Sequence, residues 1–200
     1  MAGKKTKKKR KSNKGKSKGS SFERDGCKRL SLWWTSGASD QVFWRNSGFL
    51  ARGPGCKEHQ YGDLHAIDAE GSWFAKNVNV EFKFYKDLRI LEIVDKPSKK
   101  HVLLLRHWEQ CVGDAEASDR EPMLVAKRNF AEPFVVCHSD LAQHLVEAGD
   151  MIEFYACGTY LSLFALDKLE EFCPSSKSFM DALGGTRVDR EKGKAKNVQA

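Results

Sequence analysis

The stretch "GDLHAIDAEGSWFAKNVNVEFKFYKDL", residues Gly62 to Leu88, decides how the chain is read. In "NVNVEFKFY" successive side chains alternate between two faces, as in a strand. Val78, Val80, Phe82 and Phe84 share one face and predict a core contact, while Asn79, Glu81, Lys83 and Tyr85 share the other. "DLHAID" alternates as well and "AEG" between the two supplies a turn, so the pair predicts a β-hairpin that places Asp63 beside Glu81.

The simplest account of Glu81 and Lys83 is a solvated sheet face, which is common in antiparallel hairpins. Three features weigh against it. The carboxylate and ammonium stand two residues apart, the preceding strand begins with Asp63, and a glycine-rich loop leads into that aspartate. Two carboxylates aimed at one spot, with a backbone carbonyl and waters, make the open oxygen site that Mg²⁺ prefers. An adjacent ammonium can orient a water or stabilise charge developing on a phosphate, which is the chemistry of phosphodiester hydrolysis.

Working outward, "SGASDQVFWRNSG" predicts a short helix with Ser39 as N-cap and Asp40 in its first turn, stopped by Gly48. "LARGPGCKEHQYG" reads as a loop. Downstream, "KHVLLLRHWEQCVGDAEA" has helical spacing, and "EPMLVAKRN" and "EPFVVCH" are buried strands. A helix starting at Ser139-Asp140 is expected to run to Gly149. "MIEFYACGTYLSLFAL" is a strand or hairpin, and "LDKLEEFC" a terminal helix. This order predicts an α/β or α+β layered fold with a mixed sheet flanked by helices.

The 200 residues fit one domain with tails. Residues 1–21 hold ten Lys or Arg and no acid. Of 34 basic and 27 acidic residues, 24 basic and all 27 acidic therefore fall in residues 22–200, a body of net charge −3. The expected organisation is a disordered basic tail over 1–21, a folded domain over 22–183 and a polar tail over 184–200. The basic run points to a polyanion, with nucleic acid as the first candidate. With neither a secretory signal nor a membrane span in view, a soluble cytoplasmic protein is expected, at the nucleoid or a viral replication site if phage-encoded. Its six cysteines are expected as reduced thiols. Cys56, His59 and His65 lack the second ligand pair that structural zinc needs, and Cys137–His138 reads as a strand end before a helix cap. Nucleotide-binding enzymes are disfavoured, because neither glycine-rich phosphate motif is present in a strand-to-helix setting.

Asp63 followed by Glu81-Phe82-Lys83 resembles the PD-(D/E)xK nuclease superfamily. The surroundings "WRNSG", "GDLHAID" and "VNVEFKFYKDL" are similar to the core of archaeal Holliday-junction resolvases and related phage nucleases. The resemblance spans roughly residues 39–138, with "GD" where the superfamily name has "PD". It implies a restriction-endonuclease-like α/β fold and a DNA endonuclease using Mg²⁺, with Mn²⁺ able to substitute. Asp63, Glu81 and the Phe82 carbonyl would hold the metal, and Lys83 would position the attacking water or lower its pKa. Asp68 would replace Asp63 in a different register, but its Asp-Ala-Glu-Gly setting looks like a turn. Further matches by resemblance are Asp40 for an acid in the first helix and Ser47 for a loop serine, with Gln110 and Lys127 as second-tier candidates. Arg45, Arg52, Lys57, Lys86, Lys127 and Arg128 would form a local positive track for DNA. The implied substrate is branched or recombination-intermediate DNA and the implied state a homodimer; no motif identifies the dimer face, for which the helix near Trp108 and the strands that follow are the place considered. The competing reading is a non-catalytic nucleic-acid-binding accessory protein that uses the same fold and basic arm.

Overall fold

Burial of apolar stripes on both sides of one sheet organises this chain, seen in a computed structural model that describes residues 14–46, 61–86, 88 and 102–171. In chain order the elements are α1 (Lys14–Trp34), β1 (Phe43–Arg45), β2 (Leu64–Ala66), α2 (Ser72–Asn77), β3 (Val78–Tyr85) and α3 (Leu103–Ala117). They continue as β4 (Glu121–Arg128), β5 (Phe134–His138), α4 (Ser139–Ala142), β6 (Met151–Ala156), β7 (Thr159–Ala165) and α5 (Leu166–Glu170). The main sheet has the order β3-β4-β5-β7-β6, in which β3 and β4 are parallel and the other pairs antiparallel. It is the α/β arrangement of a mixed sheet flanked by helices that the resemblance implies. Among the described residues no helix is long and apolar enough to cross a membrane.

The alternation along β3 is as expected, yet neither face is solvated. Val78, Val80 and Phe82 join the core under α1, with Phe22, Leu30, Trp33 and Phe74. On the opposite face α3 buries Leu104, Leu105, Trp108 and Cys111 against Leu124, Ala126 and Val136. Trp108 is 1% exposed, so this part of α3 is core, where a dimer face was expected. Cys27, Cys111, Cys137 and Cys157 are thiols, as expected.

Four expectations about elements change. The stretch at Asp40–Trp44 is not a helix: Val42 and Phe43 N–H both donate to Ser31 Oγ (3.1 and 2.9 Å), and the segment continues as β1 with Phe43 buried and Trp44 exposed. The hairpin is also absent. β2 pairs antiparallel with β1, and a 3₁₀ turn (Ala69–Gly71) and α2 intervene before β3. Asp68 belongs to that turn, its Oδ1 accepting from Glu70 N–H at 2.9 Å. Phe74 explains the helical detour, because as part of α2 it packs its ring at 5.3 to 5.6 Å from Trp33, Trp34 and Phe43. The helix at Ser139 ends at Ala142 and passes into turns, so Leu141, Ala142, Leu145 and Val146 all still reach the core. Finally, the basic segment is helical from Lys14, since Phe22, Cys27, Leu30 and Trp33 recur on one side and anchor α1.

Candidate active site

Although β2 and β3 do not form a hairpin, the sheet edge still gathers the acidic residues. Among the described residues β3 is an edge strand, and Asp63 docks on its outer side: its N–H donates to Val80 O at 2.8 Å, and its Oδ2 accepts from Phe82 N–H at 2.8 Å. From the other side Asn46 N–H donates to Asp63 O (2.7 Å) and Asn46 Nδ2 to Gly62 O (2.9 Å). The N–H and C=O of one strand residue point to the same side, so the Phe82 carbonyl projects along the edge that Asp63 occupies.

Gly62 makes this docking possible. Its φ is +76°, and a Cβ there would stand 2.6 Å from Asn79 Oδ1 and 2.9 Å from Val80 O. Gly62→Ala is expected to push Asp63 off the strand edge and cut any activity of this site by about a hundredfold, the size of effect that misplacement near a reacting centre produces. Comparison of kcat with the folded fraction by circular dichroism checks this; full activity would sink it.

Glu81 is 5% exposed and faces α3. Its Oε1 accepts from the Lys83 ammonium and from Gln110 Nε2 at 3.4 Å. Burial pushes the Glu81 carboxyl up, and the Lys83 hydrogen bond only partly pulls it back. Burial works to lower the Lys83 ammonium, but the hydrogen bond and charge of Glu81, with Asp63, outweigh it and raise it. Burial and then the Glu81 charge push Asp63 up to about 7, against the Phe82 N–H. Two carboxyls and one ammonium thus share a poorly hydrated spot with an excess of negative charge.

Sequence reasoning missed two neighbours. Glu23 on α1 is paired with Arg45 (Nε to Oε2, 3.3 Å), and its charge raises both Asp63 and Glu81. Phe22, set edge-on to Phe82 at 5.8 Å, and Gly26, whose added Cβ would lie 2.3 Å from the Phe82 ring, bring α1 close enough for this. The helical spacing of Phe22, Cys27, Leu30 and Trp33 was the available signal. His107, one turn before Gln110 on α3, stacks on Tyr85 at 4.8 Å, and burial with the Lys83 charge pushes it down to about 4. It is neutral at pH 7, and its buried Nε2 has no hydrogen-bond partner among the described residues.

Other candidates lie elsewhere. Asp40 pairs with Lys28 at 3.4 Å on the surface, so the acid that α1 brings to the site is Glu23. Lys127 pairs with Phe84 in the β3–β4 register and shares its α1-side face, whereas Ala126 is the residue level with Lys83. Arg45 is turned to Glu23, and Lys86 and Arg128 are exposed. Ser47, Arg52, Lys57, Cys56 and His59 lie outside the described residues, and His65 is in β2.

Among the described residues no cluster of three or more His, Cys, Asp or Glu is arranged as a metal site. Cys27 supplies no thiolate, since burial, then the Asp63 and Glu23 charges, push it up to about 12. The donors present are oxygens: Asp63, Glu81 and the Phe82 carbonyl. That set suits a hard divalent cation that keeps some of its waters. Residues 14–160 match a family model described as "Phage putative PDDEXK endonuclease". No curated protein and no solved structure matches the chain.

Proposed function

The chain belongs to this phage PDDEXK endonuclease family, and from that membership we propose that it is a Mg²⁺-dependent DNA endonuclease acting on branched or recombination-intermediate DNA. Nucleases of this kind generally use divalent metal ions. The observation that carries the reading is the meeting of Asp63, Glu81 and Lys83 around one strand edge, with the Phe82 carbonyl beside them.

Asp63, Glu81 and the Phe82 carbonyl would hold the cation, Mg²⁺ or Mn²⁺ in its place. The bound ion supplies positive charge that makes the scissile phosphorus easier to attack. Lys83 balances Glu81 while the site is empty of substrate, and turned toward a phosphate its ammonium stabilises negative charge on the oxygens. His107, being neutral, does not compete for that anion. Phe82 N–H holds Asp63 in a single orientation, and α3 keeps bulk water from Glu81, so charges act there at low effective dielectric. Symmetric cutting of a branch would call for a homodimer, whose two-fold axis supplies two such sites.

Cleavage of a labelled four-way junction, with linear duplex and single strand alongside, tests the reading. Junction cutting with Mg²⁺ or Mn²⁺ that stops in EDTA is the expected result. Equal cutting of linear duplex would overturn the branched-substrate part, and DNA binding with no cleavage under any metal would leave the accessory-protein reading in its place.

A further inference from the structure

β4 and β5 are joined by residues 129–133, "NFAEP", and the ring of Phe130 at this tip is fully exposed, at 105% of its reference area. Its backbone lies in the left-handed region, φ +58°, where Gly or Asn is the ordinary choice. A turn selected for folding alone would avoid both costs.

The tip is held firmly on each side. Asn129 N–H donates to Tyr85 O (3.2 Å), Arg29 pairs with Glu132 at 3.7 Å, and Leu166 N–H donates to Pro133 O at 2.9 Å. Tyr85 is two residues beyond Lys83 on the same strand, roughly 7 Å along it. Arg128 and Lys86, both exposed, are the chain neighbours of Asn129 and of its partner Tyr85, and Lys18 Nζ lies 6.0 Å from the ring of Phe84 on the same strand. A fully exposed aromatic ring, two residues from Arg128 on a turn hydrogen-bonded to the strand that carries Glu81 and Lys83, suits the base face of a nucleic acid.

We propose that Phe130 is a wedge that stacks on a base next to the scissile phosphate where the duplex is already open. It rests on the nuclease reading and deepens it, since selection of an opened base step would then come from this ring. An intact duplex must first be unstacked to admit it, whereas a branch point offers the base face at no such cost.

The test measures binding without turnover, in EDTA, of a labelled four-way junction and of an intact duplex matched in length and composition. The full chain is expected to prefer the junction by about tenfold, the weight of one stacked base. Phe130→Gly is expected to bring that preference close to one while the melting temperature holds or rises, because glycine suits φ +58°. Phe130→Trp is expected to keep the preference. A preference that survives in Phe130→Gly overturns the wedge alone, as does loss of self-association in sedimentation with DNA selection unchanged, which would make the ring a contact between copies. A wild-type protein that binds neither DNA overturns the wedge and the nuclease reading together.

Discussion

Lys83→Ala is expected to lower the cleavage rate by about a thousandfold, a loss within the range for removing a charged group that acts on the transition state. The same change carries a second, separable signature. Lys83 is the cation hydrogen-bonded to Glu81, and the Glu81 side chain is 7% exposed. Removing one partner of such a pair leaves a buried charge and costs about 3 kcal/mol. Glu81 already sits above the ordinary carboxylate range, and without Lys83 it moves further up. A carboxyl with a raised native pKa favours folding while protonated and loses that contribution as pH climbs through the raised value. The stability deficit of Lys83→Ala should therefore be smaller at pH 5 than at pH 8, and Glu81→Gln added to it should recover stability without activity. Urea melts at the two pH values, run beside the cleavage assay, decide the matter. A deficit that does not change with pH would show that Lys83 is not the counter-cation of Glu81.

Asp63→Asn should have the opposite effect on stability and the same effect on activity. Asp63, pushed up to about 7, holds a proton in the folded chain at pH values where the unfolded chain has released it. Its contribution is complete below the unfolded value of 3.8 and is lost as pH rises through about 7. Wild-type protein in EDTA should thus lose stability from this group between pH 5 and pH 8, by about 2 kcal/mol after allowance for solvent screening. Asparagine keeps the shape, can still accept the Phe82 N–H, and carries no charge to bury. The variant should melt roughly 5 °C above wild type at pH 8 in EDTA and near it at pH 5. Mg²⁺ should stabilise wild type at pH 8 and leave the variant unmoved, since ligands that bind only the folded state shift its melting. Cleavage should fall by about a thousandfold, as for Lys83. Equal melting at pH 8 would mean that Asp63 ionises freely and is not crowded by Glu81.

The candidate site was legible for reasons that were only partly right. Val78 to Tyr85 showed its two faces through period-two alternation, which depends on nothing beyond the strand itself. Asp63 was expected beside Glu81 through a hairpin, and it arrives there by docking on an open strand edge with β2 paired to β1. Glu23 was overlooked because a lysine-rich start masks the apolar spacing that makes α1 a helix. Lys127 was thought to return to the site, but the parallel register turns it to the opposite face.

By itself, the sequence determined the strand that carries Glu81 and Lys83, the helix over Trp108, the buried strands after it, and the resemblance those motifs support. These are local matters, decided by the spacing of apolar side chains within a few residues. Only the tertiary structure decided that β3 is an open edge, that Gly62 lets Asp63 close on it, and that α1 brings Glu23 against the pair while α3 brings Gln110 and His107. Each depends on which distant segments cover the two faces of one sheet, and a strand's own alternation is the same whether its polar face meets water or a helix.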